Sequence, residues 1–183
     1  MLGHDEALLI EGGRLTLNPE LCWVDLWSFE RLLGRLQAAL HAPGETDVAG
    51  LLAQTDPILR LYQGDFLDRE GGRPGARALQ QRLRARLVNT LADVGGRLEA
   101  AGDWDQAARV YRRAIDLEPL AEKEYRRLMS CLLQQGETAE ALHVYFRCCE
   151  ALWAGLQTVP SRETEALRRS LEGLPGPDHP PRA

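Results

Sequence analysis

The feature that most constrains the fold is an internal repeat, because the chain resembles itself at a spacing of 34 residues. Four pairs of identical residues carry the repeat: Gly102 and Gly136, Ala107 and Ala141, Tyr111 and Tyr145, Arg113 and Arg147. Glycine suits a sharp bend after a helix, alanine suits a close crossing of two helices, and tyrosine fills the space beside it. The repeat therefore predicts pairs of antiparallel helices that stack in register.

A spacing of 34 residues resembles that of the tetratricopeptide helix–turn–helix unit. Such a unit cannot bury its apolar face alone, and about three are usually needed. Two are visible, and the second is degenerate: Met129, Cys148 and Trp153 replace the Gly95, Ala114 and Pro119 of the first. The other helices must complete the stack. We predict an all-α, tetratricopeptide-like right-handed helical stack with a short N-terminal β-hairpin.

Apolar periodicity and turn residues predict the elements in order. A hairpin over 7–17 turns at Gly12-Gly13. Helices follow over about 25–41, 47–62, 76–101, 104–117, 121–135 and 138–154, and a last helix begins after Pro160 with Ser161 as its cap. Asp56-Pro57 either breaks the second helix or restarts it. The expected division is 1–24, a hairpin that is the remnant or edge of a preceding domain; 25–172, the helical domain; and 173–183, a disordered tail.

Composition and motifs argue against several classes of protein. A net charge of −5 disfavours a chain that coats nucleic acid. The four histidines are scattered, and the sequence holds no zinc or phosphate-loop motif. His143 and Cys148 lie about 140° apart on a helical wheel, which disfavours a paired thiol site. We expect no enzyme activity, no cofactor and no metal. Without a visible signal peptide or membrane span, we expect a cytoplasmic protein.

Five short motifs in order resemble the bacterial transcriptional activator domain of antibiotic regulatory proteins and MalT-like regulators. The motifs are Trp23-Val24-Asp25 with Phe29-Glu30, Leu61-Tyr62-Gln63-Gly64-Asp65-Phe66-Leu67, Glu118-Pro119-Leu120-Ala121-Glu122 with Tyr125-Arg126-Arg127-Leu128-Met129, Gly136 with Glu140-Ala141-Leu142, and Pro160-Ser161-Arg162-Glu163-Thr164. The resemblance covers about residues 7–172. Two places depart from the family pattern: Arg73-Pro74-Gly75 stands where a tryptophan is usual, and Leu156-Gln157-Thr158-Val159 replaces the usual Leu-Gly before Pro-Ser.

The resemblance implies a regulatory protein-interaction or oligomerisation domain of a transcriptional regulator. Its partners would be a second copy, other domains of the same regulator or the transcription machinery, with DNA contacted only through a domain absent from this chain. The hairpin resembles the closing strands of a preceding winged-helix-like segment, so we expect the native chain to continue upstream of Met1. The alternative is a freestanding tetratricopeptide adaptor that binds peptide tails.

Two sets of residues are candidates for binding. If the repeated pair forms a groove, Asn89, Lys123 and Arg126 lie on its inner helices and could hold a carboxylate or a peptide backbone; otherwise they are ordinary exposed polar residues. The arginine-rich start of the long helix could form a basic patch for DNA phosphate or an acidic partner. Its members are Arg77, Arg82, Arg84 and Arg86. Their spread around the helix favours a solvated face instead.

Overall fold

The computed structural model describes residues 8–18, 25–42, 47–62 and 74–172. Two strands and seven helices are found in these ranges. In chain order they are β1 Leu8–Glu11, β2 Arg14–Leu17, α1 Asp25–His41, α2 Val48–Leu61, α3 Pro74–Ala100, α4 Trp104–Leu117, α5 Glu122–Gln134, α6 Thr138–Leu156 and α7 Arg162–Glu172. This confirms the predicted fold class.

The helices form three antiparallel pairs and a final single helix. Helix α1 packs against α2, α3 against α4, and α5 against α6, while α7 closes the stack against α5 and α6. Consecutive pairs touch through α1 and α3 and through α4 and α5. One continuous apolar core runs through all pairs, from Phe29 in α1 to Leu171 in α7. The pairs before and after the visible repeat therefore complete the core, as the repeat requires.

The two repeat units turn by the same backbone device. Gly102 and Gly136 have φ of +76° and +78°, the left-handed region that glycine enters most readily. In the first bend the amide of Asp103 donates to the carbonyl of Leu98 at 3.0 Å, and in the second the amide of Glu137 donates to Leu132 at 2.8 Å. These bonds are typical of the Schellman motif that ends helices at glycine. The predicted equivalence of the two corners is confirmed.

The predicted N-terminal hairpin forms, with its turn at Gly12-Gly13. β1 and β2 pair antiparallel, with Glu11 opposite Arg14 across a two-residue turn. Gly12 and Gly13 have φ of +54° and +75°, as a tight turn of this kind requires. Ile10 is 78% exposed and Leu8 is 44% exposed, so part of the hairpin's apolar surface is uncovered.

Some boundaries differ from those predicted from the sequence. Helix α2 runs through Pro57 without the predicted break or restart, because the neighbouring Thr55 and Ile58 are both buried in the core and tertiary packing outweighs the proline's local cost. Helix α6 continues to Leu156, beyond the predicted end near 154, because no proline stops it. Most of the predicted loop over 63–75 and the whole predicted tail over 173–183 lie outside the described residues.

Candidate functional site

A polar cavity of about 360 Å³ opens where α1, α3 and α5 meet. These are the first helices of the three pairs, so the cavity lies on the side of the stack where the sequence predicts a groove. Its lining residues are Leu40, His41, Ala92, Asp93, Gly96, Arg97, Lys123, Glu124 and Arg127. We call this the α1–α3–α5 cavity.

Two of the three strong cations in the cavity are held by the protein itself. Arg97 of α3 donates to the carbonyl of Leu40 in the last turn of α1, at 2.6 Å. That carbonyl is among those a helix end leaves without an intrahelical partner. Arg127 of α5 forms an ion pair with Glu99 of α3, with 2.8 Å between Nη1 and Oε2. Both arginines therefore fasten neighbouring helices together and fix the shape of the cavity.

Glu124 is the unusual member of this lining. It is only 6% exposed, and its Oε2 atom has no hydrogen-bond partner among the described residues. Burial raises the pKa of the Glu124 carboxyl, and the attraction of Lys123 and Arg127 offsets part of that rise. A buried acceptor without a donor is energetically costly. The cavity thus holds an acceptor that a donor from a ligand could satisfy.

The charges of the cavity suit a ligand that carries both signs. Asp93 and Lys123 are both exposed, on α3 and α5 respectively, while Glu124 lies buried beside them. A carboxylate and an ammonium group can hold the opposite charges of a peptide segment. The cavity therefore presents one exposed group of each charge on its wall.

The structure separates the three predicted groove residues. Lys123 lines the α1–α3–α5 cavity. Asn89 is exposed on α3, one turn before Asp93. Arg126 instead faces α7, where its Nη1 donates to Ser161 Oγ at 3.2 Å and to Thr164 Oγ1 at 3.1 Å. Partner binding by these three residues stays a prediction, and Arg126 has the additional role of holding α7 to α5.

The four arginines of the predicted basic patch also lie in different environments. Arg77 and Arg82 are exposed on α3, and Arg84 is half-buried. Arg86 donates through Nε and Nη2 to Gln37 Oε1 of α1, at 3.1 and 2.7 Å. The same glutamine donates to Thr90 Oγ1 at 2.9 Å. Arg86 thus belongs to the α1–α3 contact, and phosphate binding by the others stays a prediction.

Sequence reasoning missed four charged residues of the cavity: Asp93, Arg97, Glu124 and Arg127. One signal was present, because Asp93 and Arg127 occupy equivalent repeat positions with opposite charges. The burial of Glu124 and the pairing of Arg127 with Glu99 depend on how α3 packs on α5. No local pattern in the sequence specifies that packing.

Two of the three cysteines in the second unit, Cys131 and Cys148, are poorly suited to nucleophilic chemistry. Burial raises the pKa of the Cys131 and Cys148 thiols to about 12 each, so little thiolate forms near neutral pH. His143 is exposed whereas Cys148 is fully buried, as the predicted helical wheel places them.

Across the described ranges no cluster of histidine, cysteine, aspartate and glutamate is arranged to hold a metal ion. None of the described helices has the length and apolar character needed to span a membrane.

Comparison with known proteins connects this fold to one family. Residues 24–172 match the family model described as "Bacterial transcriptional activator domain". The match begins next to α1 and ends at the last residue of α7, so it covers the complete helical stack. No curated protein matches the chain.

Proposed function

The chain belongs to the bacterial transcriptional activator domain family, and on that premise we propose that it regulates transcription by binding proteins rather than by catalysis. The observation that supports this most directly is the α1–α3–α5 cavity, which presents Asp93 and Lys123 beside the buried Glu124. Tetratricopeptide-like stacks commonly bind partners on the surface formed by their first helices. The partner segment would donate to one carboxylate and place its own carboxylate on Lys123.

The proposed division of the chain follows the same reasoning. Residues 25–172 form the interaction domain, and residues 1–24 form the edge of a preceding domain. An isolated two-stranded hairpin is marginal in water, and the exposed Ile10 and Leu8 suit a surface that another domain covers. That other domain would then contact DNA. The protein would act in the cytoplasm.

The proposal predicts that exchanging the two cavity charges changes transcription. In the native bacterium, the double variant Asp93→Lys with Lys123→Asp keeps the net charge but reverses the field at the cavity. We expect transcripts that depend on the regulator to move most of the way to their level in a strain without the gene, because reversed charges repel the partner segment. RNA sequencing of the two strains and the parent measures this effect.

A matched control is the exchange Asp105→Arg with Arg109→Asp on α4. These residues form an exposed i,i+4 ion pair at 3.2 Å, away from the cavity. The exchange should leave transcripts at the parental level, and immunoblots should show equal amounts of both variant proteins. Parental transcript levels in the cavity variant would contradict regulation of transcription through the cavity. A lost partner with unchanged transcripts would favour the freestanding adaptor instead.

A further inference from the structure

An exposed apolar stripe runs along the outer side of α6, the last helix of the repeat. Phe146, Trp153 and Leu156 are each 58% exposed, and Val159 just beyond the helix is 73% exposed. With the partly buried Leu142 and Cys149, the helical members are spaced four, three, four and three residues apart. This alternation is the spacing of a helix that packs against another helix. We call Leu142, Phe146, Cys149, Trp153 and Leu156 the α6 stripe.

Helix α7 leaves the stripe uncovered. It packs on the neighbouring side of α6, where the Tyr145 hydroxyl donates to Glu165 and the Arg168 guanidinium lies 5.7 Å from the Tyr145 ring centre. Terminal units of helical stacks normally have a polar outer face. Here the outer face of α6 carries large apolar side chains, which marks an interaction surface.

We propose that the α6 stripe binds the α6 stripe of a second copy of this chain, antiparallel, about a two-fold axis near Cys149. The order leucine, aromatic, cysteine, aromatic, leucine reads the same in both directions. In this pairing Leu142 lies level with the second copy's Leu156, and Phe146 lies within one residue of the second copy's Trp153. An isologous contact of this kind requires a self-complementary surface.

The charges beside the stripe fit the same arrangement. Arg147 and Glu150 are both exposed and lie on one flank of it. Antiparallel pairing about Cys149 brings Arg147 within one residue's rise, about 1.5 Å along the axis, of the second copy's Glu150. The opposite charges then alternate along the flank, which favours this orientation over a shifted register.

The dimer should be weak and dependent on concentration. The stripe spans 15 residues, Leu142 to Leu156, and a helix of that length is about 22 Å long. A contact along one such helix lies at the low end of specific interface sizes. We expect a dissociation constant of about 1–100 μM, typical of a transient complex. The dimer rests on the proposed function, in which the chain acts by binding proteins. A second copy of the chain is then one of those proteins.

Sedimentation equilibrium of the purified chain, over a range of concentrations, tests the proposal. The parent should show a monomer–dimer equilibrium, and Phe146→Glu or Trp153→Glu should weaken it at least about tenfold, because each substitution enters the contact twice. Ala85→Glu adds the same charge to an exposed position on a different helix, α3, and should retain the dimer. A parent that stays monomeric to about 1 mM, or a dimer that survives both stripe substitutions, overturns the proposal.

Disulfide trapping tests the position of the axis. In a Cys22→Ser background, mild oxidation should link two copies through Cys149, since Cys131 and Cys148 are buried. The added substitution Cys149→Ser should abolish the linked dimer, and a linked dimer that persists contradicts the axis. The cavity exchange Asp93→Lys with Lys123→Asp should dimerise as the parent does. Failure of the cavity proposal and failure of the dimer proposal are therefore distinguishable.

Discussion

The two repeat units share their bends but differ in how they pack a tyrosine. In the first unit, Tyr111 lies fully buried against Gly95, and a β-carbon at Gly95 would lie 2.4 Å from Tyr111 Cζ. In the second unit the equivalent of Gly95 is Met129, which is itself fully buried. Tyr145 is also buried, at 8% exposure, but its hydroxyl donates to Glu165 of α7. The tyrosine of the first unit therefore packs on its own unit, whereas the tyrosine of the second unit bonds to the additional helix α7.

Helices α4 and α6, the second helices of the two repeat units, also differ at their ends. Helix α4 ends at Leu117, just before Pro119, while α6 has Trp153 at the equivalent position and continues to Leu156. Asp103 also caps α4 by accepting from the Gln106 amide at 3.2 Å, whereas Glu137 makes no such bond at the start of α6. The degenerate unit therefore gains exposed length. That added length carries Trp153 and Leu156 of the α6 stripe.

The largest expected effect comes from filling the close approach in the first unit. Gly95→Ala places a methyl group inside the contact distance of a rigid, buried ring, so the free energy of unfolding should fall by about 1–3 kcal/mol. Gly96→Ala is the control, because its β-carbon meets only Arg127 Nη1 at 3.9 Å and alanine favours the helix by up to about 1 kcal/mol. Urea denaturation of both variants measures the difference. Equal stability of the two variants would show that the contact between Gly95 and Tyr111 tolerates an added methyl group.

The repeat was sufficient to predict the helical pairs, their order and both glycine bends, because spacing and turn residues are local signals. It also marked Gly95 and Ala114 as positions of the first unit that the second unit fills with Met129 and Cys148. The continuity of α2 through Pro57 was not predictable, since it depends on burial of the neighbouring Thr55 and Ile58 in the core. Local propensity is overridden by tertiary packing in such cases.

The candidate site was predicted less well than the fold. Lys123 was identified from its place on an inner helix, and it lines the cavity. Arg126 has the same kind of sequence environment, yet its guanidinium donates to Thr164 of α7 and to Ser161, the residue just before α7. The position of α7 decides between these two outcomes. A long-range contact of this kind leaves no periodic trace in the sequence.

Two glutamates of α5 should respond to substitution in opposite directions. Glu122 Oε1 accepts from the Ser161 amide at 2.7 Å and from the Thr164 hydroxyl. Burial alone would raise the pKa of Glu122, but these hydrogen bonds outweigh it and the pKa lies below its usual value. Glu122→Gln should therefore destabilise the protein at pH 7 by about 1–2 kcal/mol, whereas Glu124→Gln should be neutral or stabilising because it removes a buried charge.

The pH dependence follows from the signs of the two shifts. The stabilisation from Glu122 is present above the unfolded-state pKa of about 4.3 and is lost as pH falls through the lower folded pKa. The penalty from Glu124 is present above its raised folded pKa and disappears as pH falls to the unfolded value. Thermal unfolding from pH 7 to pH 4 should show the two variants converging. A larger loss for Glu124→Gln than for Glu122→Gln at pH 7 would refute this assignment.

The smallest expected effect concerns the end of α6. There a glutamine, Gln157, occupies the left-handed backbone conformation that glycine occupies at both bends. Gln157 has φ of +52°, and among the described residues it is the one non-glycine with positive φ. A side chain there costs about 1–2 kcal/mol, and the bond from Gln157 Nε2 to the Trp153 carbonyl at 2.6 Å offsets part of that cost. Gln157→Gly should raise the free energy of unfolding by about 0.5 kcal/mol. Gln157→Ala, which loses the same bond but keeps the β-carbon, should give no gain. If urea denaturation finds the two variants equally stable, the left-handed backbone of residue 157 carries no strain, and α6 ends as favourably as the glycine-terminated helices.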